Sequence, residues 1–209
     1  MWGGVFPEEF SAETEAGDKN VLECGVKYHK AGQEEREMLE IEGLSKETVY
    51  NVMRELLYSF NYTWFKTEEW VKSRYPEGFE EFASLCEDFG SYQARRLSQV
   101  LDISGGGIDP LIQLLKHSHW AVFENIEVEK LTEKSFKMRT TECSSQRAAK
   151  RWGMEYYDCG PTATIMRSAF FKEANPNAKV QQVFAPPEIG PEGTPENVSC
   201  EWLISIEEK

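Results

Sequence analysis

The chain has 209 residues with a formal net charge of −13, and 40% of its residues are hydrophobic. This hydrophobic content is ample for a core and argues against a disordered chain. The negative charge argues against non-specific binding to nucleic acid or to an anionic membrane surface, because both would repel the protein. The sequence has neither a signal-peptide pattern at its start nor an apolar run of about 18 residues. We therefore expect a cytoplasmic protein whose five cysteines are not joined as a disulfide framework.

The chain divides into an arm and one domain. Residues 1–20 mix glycine, proline and acidic residues without periodicity, which predicts a flexible arm. Residues 21–209 are predicted to form a single domain, a size that one hydrophobic core can serve. The pattern predicts a helical part over 45–117 and a sheet-containing part over 118–209.

The helical part begins at Ser45, which is a good N-cap residue. Apolar residues then recur at helical spacing, namely Val49, Val52, Met53, Leu56, Leu57, Phe60 and Trp64. A second helical start is predicted at Thr67, and further helical faces precede and follow Gly90. The glycine run 105–107 is predicted to be a linker, since glycine runs mostly break secondary structure. A short helix is predicted to begin at Asp109 and Pro110.

The periodicity changes from 3.6 to 2 at Trp120, which indicates strands. The pattern predicts a hairpin over about 120–138, two helices and two further strands. The helices are predicted at 143–152 and 161–174, and the strands at 178–185 and 198–206. A helical first half followed by β-β-α-α-β-β is typical of the α+β class. We therefore expect N-terminal helices packed on a small antiparallel sheet.

Three cysteines are the main candidates for chemistry. Cys143 and Cys159 lie at predicted helix starts, and Cys200 lies on the apolar face of the last strand. A thiol in the first turn of a helix near Arg147 should have a lowered pKa, which would suit a nucleophile or a metal ligand. Gln146 shares the face of Cys143 and is a candidate ligand-binding residue. The three thiols could hold a zinc ion, although simple packing is the alternative for each of them.

Aromatic residues and histidines could line a ligand pocket between the helices and the sheet. Trp64, Trp120 and Trp202 are candidates for its walls, with core filling as the alternative. His117 and His119 are predicted to precede the hairpin on one side of a strand, pointing toward that pocket. A partly exposed strand start is the alternative for these histidines.

The second half of the chain resembles a family of uncharacterised prokaryotic cytosolic proteins. The resemblance rests on Cys143, Cys159 and the sequence Cys200–Trp202, and an aromatic helix with Trp64 fits it; it extends over about 47–206. That family is similar to the L-2-amino-thiazoline-4-carboxylic acid hydrolase-like proteins. More remotely, the layout is similar to four-vinyl-reductase domains, some of which bind aromatic effectors and hold zinc through cysteines where Cys159 and Cys200 fall.

Three functions follow as expectations from the residues and the resemblance. The first is a module that binds a small apolar or aromatic molecule. The second is a hydrolase that opens a cyclic C–N bond, in which Cys143 would be the nucleophile or a metal ligand and Arg147 would clamp the carboxylate of the substrate. The third is a protein-interaction subunit. A homodimer stays open as the oligomeric state.

Overall fold

The computed structural model of the protein describes residues 43–207, and Leu44–Lys209 form one compact unit. The predicted arm over 1–20 and the segment 21–42, which contains Cys24 and His29, lie outside the described residues. Within the described part, no helix combines the length and the apolar character that crossing a membrane requires.

The described part is an α+β fold, as the sequence predicts. Its helices are α1 (Lys46–Arg74), α2 (Phe79–Leu101), α3 (Ile108–Lys116), α4 (His119–Phe123), α5 (Ser144–Arg151) and α6 (Gly160–Ala174), with a short 3₁₀ turn at Pro76–Gly78. Its strands are β1 (Asn125–Thr132), β2 (Ser135–Glu142), β3 (Ala178–Phe184) and β4 (Cys200–Ile206). The helical half therefore precedes a β-β-α-α-β-β half.

Both long helices are continuous, where the sequence suggested interruptions. Ser45 caps α1, since the Thr48 amide donates to its Oγ at 3.1 Å, and α1 runs through the second start predicted at Thr67. Helix α2 runs through Gly90 without interruption, and α6 crosses α2 at this glycine. A Cβ at position 90 would lie 3.1 Å from the Phe170 nitrogen and still closer to the Met166 carbonyl oxygen, so glycine permits the close approach of the two helices.

The apolar stripe of α1 is not its buried face. Leu56 is 58% exposed and Phe60 is 75% exposed, whereas Phe65 and Glu68 point into the protein. Helical spacing identified the helix correctly, but it could not say which of two faces the rest of the chain covers, because that depends on tertiary packing.

The four strands form one antiparallel sheet in the order β1-β2-β4-β3. Met138 pairs with Trp202 and Phe136 pairs with Ile204 across the two central strands. All four side chains are fully buried and belong to the main core with residues of α2, α3 and α6. The alternation predicted for the last strand is therefore confirmed, and the helices pack on the face that carries these residues.

The predicted hairpin start at Trp120 is wrong. Residues 119–123 form α4, and β1 begins only at Asn125. Trp120 and Phe123 are both buried, and their separation of three residues places them on one side of a helical turn. A short apolar run satisfies both periodicities, so spacing alone could not distinguish helix from strand here.

Candidate functional site

The three candidate cysteines each lie at the start of a helix or strand, and Cys200 is the first residue of β4. Cys143 is the N-cap residue of α5 and Cys159 is the N-cap residue of α6, which confirms the prediction that both lie at helix starts. Cys143 and Cys200 are buried, whereas Cys159 is partly buried. The Trp202 Nε1–H donates to Cys200 Sγ at 3.3 Å.

The lowered pKa predicted for Cys143 is wrong, because the thiol is shielded from water. Burial and the neighbouring Glu124 carboxylate raise the pKa of Cys143, and ionised Cys159 or Cys200 would raise it further. Burial likewise raises the pKa of Cys159 to about 12. The benefit of a helix N-terminus is outweighed by desolvation, which favours the neutral thiol. Both thiols are therefore protonated near neutral pH.

The three cysteines influence one another electrostatically. Among residues 43–207, no three histidine, cysteine, aspartate or glutamate side chains form a group that could hold a metal ion. Two of the thiols have other partners, as Cys143 contacts Glu124 and Cys200 contacts Trp202. Zinc binding by these cysteines stays a prediction.

Glu124 is the acidic group of this region, and the sequence did not single it out. It follows α4 and accepts hydrogen bonds from Thr140 Oγ1 at 3.3 Å and from the Cys143 thiol at 3.7 Å. Although the residue is only partly buried, burial of its carboxyl group raises the pKa of Glu124, and the positive charge of Arg167 opposes that rise.

Arg167 on α6 is the basic group of this region, and the sequence analysis did not single it out either. It is 4% exposed, and its guanidinium carbon lies 4.8 Å from the ring centre of Trp120 and 4.5 Å from that of Trp202. Such contacts attract a cation to the face of an indole ring. Two of the predicted ligand-binding tryptophans therefore meet at a buried arginine.

The guanidinium of Arg167 has no anionic partner in contact. Within the described part of the chain it forms no ion pair within 4.0 Å, and its buried Nε–H has no hydrogen-bond acceptor. An arginine stays protonated in proteins, so this is a buried positive charge. Leaving an ion unpaired in the interior costs several kcal/mol even after relaxation (on the order of the penalty for breaking a buried pair).

Arg147 and Gln146 are placed differently from Arg167. Arg147 is exposed on α5, although it still acts on the Glu124 carboxyl at a distance. The amide of Gln146 is used by the backbone of Tyr157, donating to its oxygen at 2.7 Å and accepting from its nitrogen at 3.0 Å. Gln146 thus holds the segment between α5 and α6 by two hydrogen bonds. The ligand-binding roles predicted for Gln146 and Arg147 stay predictions.

The two histidines do not share one side of a strand. His117 is exposed at the end of α3, where its ring is 2.8 Å from the Gln113 carbonyl oxygen. His119 begins α4 and packs against the rings of Phe89 and Trp120. Burial, with the charge of Arg167, lowers the pKa of His119 to about 3. In a strand, residues two apart would point to the same side, but here His117 ends α3 and His119 begins α4, so their side chains have different surroundings.

Trp64 lies away from the arginine, against the rings of Phe82 and Phe89. It is partly buried and connects the main core to a second cluster around Phe65 and Tyr157. The three tryptophans predicted to line one pocket therefore do not all contact the same group. Trp120 and Trp202 both contact Arg167, and Trp64 packs against other rings.

A cleft of about 550 Å³ lies between α3 and β1, and Glu124 is among the residues that line it. Leu115 and Ile126 supply apolar walls, and Lys130 and Asp109 also line the cleft, where they form an ion pair at 3.1 Å. Ligand sites are commonly concave surfaces of this size with a few polar groups. Glu124 therefore links a cleft accessible from outside to the buried cysteines and Arg167.

The sequence held a weak signal for Arg167. It stands in the run Ile165 to Phe171, where it is the one charged residue among apolar and small neighbours, three and four positions before two fully buried phenylalanines. Residues at such spacing share a helix face, so the sequence predicts that Arg167 faces the core. Glu124 carried no comparable signal, because it stands where an apolar helix turns into a strand.

The described residues form an α+β fold with one four-stranded antiparallel sheet, in which Glu124 lines a cleft and also contacts the buried Cys143. The chain belongs to a family of unknown function, DUF6125, whose model matches residues 44–206. No curated protein and no solved structure matches the chain.

Proposed function

We propose that the protein binds a small organic carboxylate at the site formed by Arg167, Trp120 and Trp202. The observation that carries this proposal is the buried guanidinium of Arg167, which has no acceptor for its Nε–H and no ion pair among the described residues. A carboxylate would provide a charged partner with planar, two-pronged geometry that matches a guanidinium. The two indole rings add apolar area for the rest of the ligand.

The contacts of Arg167 explain why it stays in place without a ligand. Each indole contact contributes about 2 kcal/mol or more to a desolvated cation, and the Glu124 carboxylate attracts it from a distance. These terms reduce the cost of burying the charge without supplying hydrogen-bond acceptors. A site already arranged around an unsatisfied cation loses little conformational freedom when an anion binds.

Thermal melting of the full-length protein tests this proposal. The probes are benzoate, hydrocinnamate, isocaproate, phenylalanine and leucine, each compared with its primary amide. We expect at least one acid to raise the melting temperature while its amide does not, because saturation at about 100 times Kd stabilises a protein by about 2.7 kcal/mol. Arg167→Met should remove the shift, and Arg151→Met, which changes an exposed arginine at the end of α5, should keep it. Equal shifts by acids and amides, or no shift by any acid, would overturn the proposal.

A hydrolase is the second candidate, and the contact between the Cys143 thiol and Glu124 supports it. In this reaction the Cys143 sulfur attacks the carbon of a cyclic C–N bond while Glu124 takes the thiol proton and returns it to the departing nitrogen. Water then releases the product from the sulfur. The resemblance to aminothiazoline-carboxylate hydrolases agrees with a substrate that carries a carboxylate. Unchanged turnover of 2-amino-thiazoline-4-carboxylate in Cys143→Ala, or none in the wild type, would exclude this role.

A further inference from the structure

Two opposite charges lie near each other in the site and do not touch. Arg167 and Glu124 form no ion pair within 4.0 Å. They are nevertheless neighbours through Trp120, whose ring lies under the guanidinium and whose carbonyl oxygen accepts from the Glu124 amide at 2.9 Å. One turn of α4 therefore connects Glu124 to the indole ring that Arg167 contacts.

A second set of contacts connects the same two residues. Thr140 donates to Glu124 on one side and pairs with Cys200 across the sheet. Cys200 in turn accepts from Trp202, whose ring lies 4.5 Å from the Arg167 guanidinium carbon. Contacts through Thr140, Cys200 and Trp202 thus connect Glu124 to Arg167 on a second side.

The hydrogen bonds of Glu124 leave room for a positively charged partner. Its two observed donors are a hydroxyl and a thiol, which are neutral groups. A carboxylate has about four acceptor positions, so these two donors do not fill it. The residue also lines the cleft, where a ligand can reach it.

We propose that the ligand is a small zwitterion, whose carboxylate pairs with Arg167 and whose ammonium group pairs with Glu124. This inference rests on the carboxylate site proposed above and adds the second recognition group. A molecule with both charges satisfies the arginine and the glutamate at once and adds no net charge to the interior. A carboxylate alone leaves Glu124 with neutral donors only, and an amine alone leaves Arg167 without an acceptor.

Three matched compounds on one skeleton separate the two charges: phenylalanine has both groups, hydrocinnamate lacks the ammonium and phenethylamine lacks the carboxylate. Leucine, isocaproate and isoamylamine repeat the comparison on an aliphatic skeleton. Titration calorimetry of the full-length protein should show at least one amino acid binding about ten- to a hundredfold more tightly than its carboxylate analogue, which is the range expected for a hydrogen bond to a charged group.

Two glutamate variants identify the group that recognises the ammonium. In Glu124→Gln, binding of the amino acid should fall to the level of its carboxylate analogue, and binding of that analogue should not weaken. Glu142→Gln changes an exposed glutamate at the end of β2 and should bind both compounds as the wild type does. Chemical denaturation of each variant checks that it is folded.

Four other outcomes would overturn the zwitterion inference, and two of them would also overturn the proposed function. If the carboxylate analogue binds as tightly as the amino acid and Arg167→Met abolishes both, the zwitterion inference is overturned and the carboxylate site stands. If Glu124→Gln leaves the preference for the amino acid unchanged, the inference is overturned as well. If the amines bind as tightly as the amino acids, or no compound of either set binds, both the inference and the proposed function are overturned.

Discussion

Glu68 on α1 and Arg167 on α6 are both charged residues in the interior, but among residues 43–207 Glu68 has an oppositely charged group in contact and Arg167 has none. Lys72 lies 2.9 Å from Glu68 Oε1, and the Tyr157 hydroxyl donates to Glu68 Oε2. Arg167 contacts two indole faces, and its Nε–H has no acceptor in the part of the chain that the structure describes. We refer to the first group as the Glu68 cluster and to the second as the Arg167 site.

The contrast separates a structural role from a binding role. The Glu68 cluster joins α1 to the segment before α6 through Tyr157, whose backbone is also held by Gln146. Its charge has a cation in contact, since Lys72 Nζ lies at ion-pair distance, although Glu68 Oε1 forms no hydrogen bond of good geometry. The Arg167 site leaves its charge without a contacting anion, which is expected where a ligand provides the partner.

Removing the cation of the Glu68 cluster should have the largest effect on stability. Lys72→Met leaves Glu68 buried without its ion pair, and breaking a buried pair costs about 3 kcal/mol at the lower end of the usual range. The lower end applies because the Lys72 side chain is 29% exposed. Urea denaturation measures this change.

Lys150→Met is the matched control for that variant, because Lys150 is exposed on α5, and it should change the unfolding free energy by less than about 0.5 kcal/mol. If the two lysine variants were equally stable, the Glu68 cluster would not be a structural ion pair and the comparison would fail.

Replacing Glu124 by glutamine should have a smaller effect that depends on pH. Burial raises the pKa of Glu124 above its ordinary 4.5 in the folded protein. The protonated carboxyl therefore favours the folded state below about pH 4.5, and this contribution is lost as the pH rises through the folded pKa. The stability of Glu124→Gln relative to the wild type should rise over that interval, by at most about 1.4 kcal/mol per pH unit.

Urea denaturation at several pH values between about 4 and about 8 measures this difference. The same series on Glu142→Gln should give a difference that stays nearly constant, because that side chain is exposed. A relative stability of Glu124→Gln that falls with rising pH would mean that the carboxylate is well satisfied in the folded state, contrary to the description of the Arg167 site.

Removing the charge of Arg167 should change stability least of the three. Arg167→Met keeps much of the side-chain volume, and loss of the two indole contacts is balanced by relief from an unpaired buried charge. We expect the unfolding free energy to stay within about 1 kcal/mol of the wild type. A loss of about 3 kcal/mol or more, comparable with that of Lys72→Met, would show that Arg167 is a structural residue like Glu68.

The sequence predicted the elements well and the site only in part. The helix starts at Cys143 and Cys159 and the alternation of the last strand could be read directly, because they depend on local spacing. The short helix at Trp120 could not, since its spacing fits a strand as well. The site itself depends on which side chains three separate elements bring together, and Arg167 and Glu124 lie 43 positions apart in the sequence.

The raised thiol pKa gives one further prediction, which concerns a rate. Burial keeps Cys143 protonated, and only the thiolate reacts readily with alkylating agents. Iodoacetamide should therefore modify Cys143 in the native protein at least about tenfold more slowly than in the urea-unfolded protein at the same pH. Mass spectrometry of the modified peptides gives both rates. Equally rapid modification of Cys143 in the native protein would contradict its burial beside Glu124.

The nuclear magnetic resonance signal of the Arg167 Nε–H gives the most direct test of the central claim that this buried cation has no partner until a ligand supplies one. The signal is assigned in isotope-labelled protein by its absence from Arg167→Lys. In the free protein it should lack the downfield shift that a hydrogen bond to a carboxylate produces, and saturable addition of a binding amino acid or carboxylate should move it downfield. A signal that is already shifted in the free protein, or one that stays unchanged while such a ligand binds, would contradict the claim.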